Sequence, residues 1–212
     1  MKVRRWAPYL QGIWVATIDD IAANAEAAVG NGDILRLISE GLRRDERIEF
    51  VRSGALPKHK RVQRFEVVHD LNTMLWCGPT AVACLTGATT GEVRDLIRKF
   101  RKDPDARVDG TIDDEVRHCF AELGYDCHLV YFMHAPLYKN HLTLGRWLST
   151  FPRERHVGYL LGMRGYGKEC GHWAAVSGDY YCCSRSAGMW VPLDKVPRRR
   201  SRMQSAYAVL KK

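Results

Sequence analysis

The change of apolar period near Gly124 constrains the architecture of this chain more than any other feature of its sequence. Before it, apolar residues recur at helical spacing. Ala81 to Leu85 is an apolar run stopped at Gly87. Val93, Leu96, Ile97 and Phe100 form a stripe in the stretch from about Glu92 to Lys102, which Thr89 or Thr90 can cap. Ile112, Val116, Cys119, Phe120 and Leu123 form another, opened by Thr111 and ended by Gly124. After it the period shortens to two, and strands are expected at Asp126–Met133, His156–Met163, His172–Ser177, Tyr180–Ser184 and Ala206–Leu210, with a short helix at Leu142–Thr150. Helices first and a largely antiparallel sheet second is the order of an α+β domain with segregated layers.

The first part of the chain has a different character. Ala22–Val29 is helix-prone, and Ile34, Leu35, Leu37, Ile38 and Leu42 follow a helical period behind a cap at Asp33. Gly54, Pro57 and the basic run to Arg64 interrupt the pattern. Residues 1–64 therefore read as a helical arm with a basic linker, and 65–212 as the main domain, which opens on an expected short strand at Phe65–His69. The apolar stripe of the arm must be buried somewhere, so a protein partner or the main domain is expected to cover it.

Composition narrows the class. Hydrophobic residues are 46% and charged residues 27% of 212, the balance of a globular protein with a sizeable core. No stretch is long and apolar enough for a membrane span, and the N-terminus lacks the apolar run and cleavage site of a secretory leader. The count of 33 Lys and Arg against 24 Asp and Glu gives a net charge of +9, which favours acidic partners without naming one. Lys58–Arg61 and Arg198–Arg200 with Arg202 read as solvated loops; nucleic-acid binding through Arg198–Arg202 is the competing reading. Seven cysteines, an odd count without a leader, argue against a disulfide framework and for a reducing, cytoplasm-like compartment, with a virion or other assembly as the alternative.

One combination of residues carries chemistry. Cys77 precedes Gly78-Pro79, where a helix is expected to start, since proline is tolerated in the first turn. Unpaired N–H groups and the helix dipole favour a thiolate at such a position, and Gly78 leaves room for a substrate backbone. Gly171-His172-Trp173 opens a strand far downstream, and a neutral imidazole beside Cys77 can take its proton, leaving a thiolate–imidazolium pair.

Asn72 to Gly87, NTMLWCGPTAVACLTG, resembles the nucleophile helix of papain-like cysteine peptidases, in particular the group that includes the peptidase domains of bacteriocin-exporting transporters. Gly171 to Val176, GHWAAV, resembles the strand bearing that family's general base. The resemblance extends over residues 65–212 in element order and is specific at these two motifs. It implies a papain-like fold, with helices packed on the sheet and a cleft between the layers. It also implies a peptide or protein substrate and cleavage of a peptide or isopeptide bond, with Cys77 as nucleophile and His172 as base and later acid. The family's glutamine before the cysteine, which helps form the oxyanion hole, is missing here. Asn72 is the chemically competent substitute, with the Cys77 N–H as a second donor.

The group that orients the imidazole is left unassigned. A two-residue turn at Gly178-Asp179 pairs Ser177 with Tyr180, Ala174 with Cys183 and His172 with Arg185, and sets Asp179 at the tip. A longer turn would bring Ser184 or Ser186 across. A Cys–His dyad and a catalytically inactive module serving in binding or assembly both fit this gap. No cofactor is expected. A zinc site from Cys170, His172, Cys182 and Cys183 is disfavoured, because adjacent residues of a strand point to opposite faces. Gly162 to Gly167 reads as a glycine-rich connection that can border a cleft.

Overall fold

A computed structural model describes residues 48–51, 56, 64–69, 76–134, 141–151, 153–164 and 171–212. Its elements run β1 (Ile48–Val51), α1 (Cys77–Thr86), α2 (Thr90–Arg101), α3 (Asp113–Glu122), β2 (Tyr125–His134), α4 (Leu144–Thr150), β3 (Gly158–Arg164), β4 (His172–Ser177), β5 (Tyr180–Cys182), β6 (Val191–Pro192) and β7 (Arg202–Lys211). The strands form one sheet in the order β1-β2-β7-β3-β4-β5-β6. Every neighbouring pair is antiparallel. The mixed α+β class expected from the change of period is what the chain adopts.

Two cores explain the strand sequences. Ala81, Leu85, Val93, Ile97, Val116 and Phe120 of α1 to α3 pack with Leu160, Trp173, Ala175, Tyr207 and Val209 on one face of the sheet. Leu144, Trp147 and Leu148 of α4 pack with Tyr159, Leu161, Ala174, Val176, Ala206 and Ala208 on the other. A strand covered on both faces reads as a continuous buried run, and β4 is buried along its whole length. In β2 the alternation slips once: a bulge between Leu129 and Tyr131 sends both Val130 and Tyr131 to the α4 side.

The helix signals act locally. Helix α1 starts from extended Trp76 without a side-chain cap and ends at Gly87, whose φ of 83° lets its N–H donate to the Ala83 carbonyl. Gly78 through Leu85 are all buried, so α1 is a central helix, apolar on every side. For α2 the cap is Thr89: its Oγ1 accepts from Glu92 N at 3.1 Å, and Glu92 Oε2 accepts from Thr89 N at 2.6 Å. Phe100, expected in the buried stripe, is 40% exposed and lies over His118 with ring centroids 5.0 Å apart.

Four expectations are corrected. Thr111 does not cap α3; extended Ile112 holds the cap position and is 62% exposed, and Glu115 Oε2 accepts from its N–H at 2.9 Å. Phe65–His69 is not a strand. Its backbone is spent on helix ends: Phe65 N donates to Cys84 O, and Val68 O accepts from Thr90 N. The strand after the Gly178-Asp179 turn stops at Cys182, because Cys183 caps a 3₁₀ turn at Ser184–Ser186. The segment assigned to the helical arm supplies an edge strand, with Ile48 paired to His134 and Val51 to Tyr131. The arm helices read at Ala22–Val29 and Ile34–Leu42 lie outside the described residues.

Glu115 also clamps the loop before α3. It accepts from Arg101 Nε at 2.6 Å, and Arg101 in turn donates to the carbonyls of Arg107 and Gly110. Glu115 is buried, so its loss strands a guanidinium and an amide. Glu115→Ala is expected to cost about 2–3 kcal/mol in urea unfolding, with partial recovery in Glu115→Gln. A change below about 0.5 kcal/mol would show the clamp to be redundant.

Candidate active site

Because α1 lies across β4, its first residue is carried to the strand's beginning. Cys77 is half-buried and packs against the helix-side core, where the peptide groups of Trp173, Gly78 and Cys77 itself favour its thiolate. Burial nevertheless dominates and pushes the thiol above its ordinary range. Cys84, Cys119, Cys182 and Cys183 are all buried, and burial holds Cys119 up at about 12. Among the described cysteines, only Cys77 combines partial exposure with a helix start.

His172 is the first residue of β4. Trp173, the next residue, belongs to the core that Cys77 packs against, so Cys77 and His172 lie at one strand end. Their side chains are arranged differently from the sequence expectation. Trp173 and Ala175 face the helices, whereas Ala174 and Val176 belong to the opposite core. His172 pairs with Met163 of that opposite core and leaves the strand on that side. The thiol and imidazole thus do not face each other across the helix–sheet interface, and no hydrogen bond joins them. His172 Nε2 is buried and makes no hydrogen bond. Burial, with Arg185 and Arg198 nearby, lowers the imidazole to about 4. The free site holds a thiol and a neutral imidazole in place of the thiolate–imidazolium pair that the motif suggested.

The space beside Gly78 is also used differently. A Cβ there would overlap the Thr111 hydroxyl and lie 2.9 Å from Thr111 Cγ2, so the loop before α3 occupies the ground expected to admit a substrate backbone. Thr111 Oγ1 is buried without a hydrogen-bond partner, while its carbonyl accepts from Trp173 Nε1 at 3.2 Å. Gly162 supports the same indole: a Cβ there would stand 3.1 Å from Trp173 Cζ3 and overlap Ser205. Thr111 is not among the residues the sequence marks for the site, and Gly162, expected in a connection bordering the cleft, belongs to β3. The signal available for Thr111 was only a threonine displaced by one from the cap position.

The hairpin register expected from the two-residue turn holds at Ser177–Tyr180, Val176–Tyr181 and Ala175–Cys182, then stops. The Ala174–Cys183 and His172–Arg185 pairs do not form as ladder pairs, yet Arg185 still bears on His172 by charge. Asp179 sits at the hairpin tip, 4.0 Å from Arg155. Ser184 and Ser186 belong to the 3₁₀ turn. Asn72, Cys170 and residues 165–170 of the glycine-rich connection lie outside the described residues; Gly162 to Arg164 belong to β3. Cys182 and Cys183 go to opposite cores, and no group of three His, Cys, Asp or Glu among the described residues is placed to hold a metal ion. No helix among them is long and apolar enough to cross a membrane.

Comparisons with protein-family models, with curated proteins and with solved structures each found no match.

Proposed function

We propose that the protein is a thiol hydrolase of papain-like fold that cleaves a peptide or isopeptide bond. The observation that carries this reading is the packing of Cys77, at the mouth of a buried helix, against the core that holds Trp173, the residue following His172. The neutral imidazole takes the thiol proton as sulfur attacks the carbonyl carbon. The oxyanion that forms is met by the Cys77 N–H, one of the unpaired donors of the helix start, and by Asn72 in this reading. The imidazolium returns its proton to the departing amine, and water then hydrolyses the thioester with His172 again as base. Meeting the thiol requires the His172 side chain to turn about the end of β4 when substrate binds. The free state of all six described cysteines fits a reducing compartment.

A second reading is supported by the missing Cys77–His172 hydrogen bond and by the charges bearing on His172, which are those of arginines and not of a carboxylate: the same scaffold used for binding or assembly without turnover. An electrophilic peptide probe separates the two. The first reading expects covalent labelling at Cys77, mapped by mass spectrometry, that is lost in His172→Ala. Labelling of another cysteine alone, or labelling indifferent to His172, would leave only the second.

A further inference from the structure

The two sides of the sheet carry charge differently. On the helix side, residues 77–122 hold seven Lys and Arg against nine Asp and Glu. Five of those cations stand in ion pairs, among them Arg101 with Glu115 at 2.6 Å and Lys99 with Glu122 at 3.0 Å. On the α4 side, residues 191–202 hold five Lys and Arg against one carboxylate, Asp194. Arg146 of α4, Lys195, Arg198 and Arg200 are exposed there and stand in no ion pair among the described residues. Hydrogen bonds put these groups on one surface. Leu144 N donates to Ser201 O at 2.7 Å and Gly145 N to Arg199 O at 2.8 Å, so the first turn of α4 is seated on the chain at 199–201. Arg199 Nη1 donates to Leu193 O at 2.7 Å and ties the turn 197–200 to the 3₁₀ turn Leu193–Lys195. Between these two turns Val196 is buried in the α4-side core, which fixes both against the sheet. Arg198 has a φ of 53°, a conformation that glycine adopts without strain, so the turn holds a charge where its backbone favours glycine.

We propose that this surface, formed by α4, the 3₁₀ turn and the turn 197–200, binds the phosphate backbone of a nucleic-acid duplex. Its unneutralised cations complement a polyanion, and arginine outnumbers lysine in it, as suits phosphate oxygens. Among the described residues the exposed large apolar side chains, Val68, Phe100, Ile112, Tyr180 and Met189, lie on none of its three segments. An acidic protein partner would need such anchors at the centre of an interface, and a membrane-surface site would need them to enter the lipid. The lack of an exposed ring there also removes a platform for unstacked bases, which favours a duplex over a single strand. Contacts to phosphate alone carry no sequence information, so binding is indifferent to base order. Cys77 packs against the core on the other side of the sheet, and the inference stands apart from the hydrolase reading.

The test uses the full chain and a fluorescein-labelled DNA duplex of about 20 base pairs, read by anisotropy over a salt series. About five engaged cations should give a slope of about −4 to −5 for the logarithm of the association constant against that of salt. Arg146→Gln/Lys195→Gln/Arg200→Gln takes one cation from each of the three segments. It is expected to flatten the slope by about 2–3 and to weaken binding about tenfold or more, with an unchanged thermal midpoint. The control Lys99→Gln/Lys102→Gln/Arg107→Gln takes the same charge from the helix side and should bind within about threefold of the parent. A second duplex of permuted sequence should bind like the first. Equal losses in the two triple variants would reduce the effect to net charge and overturn the proposal, as would affinity insensitive to salt. Three further results also count against it: tighter binding of a single strand of the same length, displacement of the duplex by polyglutamate at lower charge concentration than by unlabelled duplex, and sedimentation with phosphatidylserine-containing vesicles that the duplex fails to compete.

Discussion

Cys77→Ala is expected to bring peptide hydrolysis to background, a loss on the order of 10⁴-fold or more, while the thermal midpoint barely moves. The size of the effect follows from the absence of a substitute: the other described thiols are buried or, at Cys127, pushed well up by burial. The small effect on stability follows from the partial exposure of Cys77, whose removal opens little cavity. His172→Ala should cost about 10²–10⁴-fold, the usual worth of a general base. The pH profile reports the state of the imidazole. With His172 lowered to about 4, the acid limb of kcat/KM belongs near pH 4, because the base is already deprotonated above that point. Full activity in Cys77→Ala, or an acid limb at the ordinary histidine value, would contradict this account of the site.

Trp147→Ala should be the most damaging single truncation on the α4 side of the sheet, at about 3–5 kcal/mol. The indole is fully buried, stacks on Phe151 at 4.8 Å and meets Tyr159 edge-on at 6.0 Å. It holds α4, a helix of only seven residues, against the sheet. Its Nε1 is buried without a partner, so Trp147→Phe gives up ring area but also removes an unpaired donor, and should recover more than half of the loss. Denaturant unfolding of the two variants measures both figures. Equal losses in Ala and Phe would show that the indole N–H, rather than ring packing, matters at this position.

The hairpin and the starts of α1 and α2 were legible because their causes are local. Gly178-Asp179 specifies a two-residue turn and with it the register of β4 on β5; Thr89 and Glu92 cap each other; Pro79 and Gly87 bound α1. The limits of β5 and the edge strand β1 were not legible. Cys183 leaves the ladder because its sulfur accepts from Arg185 N at 3.3 Å and its N–H donates to Ser186 Oγ at 3.1 Å. Ile48–Val51 becomes a strand because β2 offers it an open edge.

The same division runs through the site. Residue types and order alone marked Cys77 and His172, since a thiol before Gly-Pro and an imidazole heading an apolar strand are properties of short segments. Which side of β4 each group occupies depends on strand pairing. So does the neighbourhood of His172, because Arg198 and Arg185 reach it from turns 26 and 13 positions downstream only once β3, β4 and β7 share a sheet. Thr111 fills the space beside Gly78 for the same reason: α3 packs on α1, and no pattern within either segment encodes that meeting.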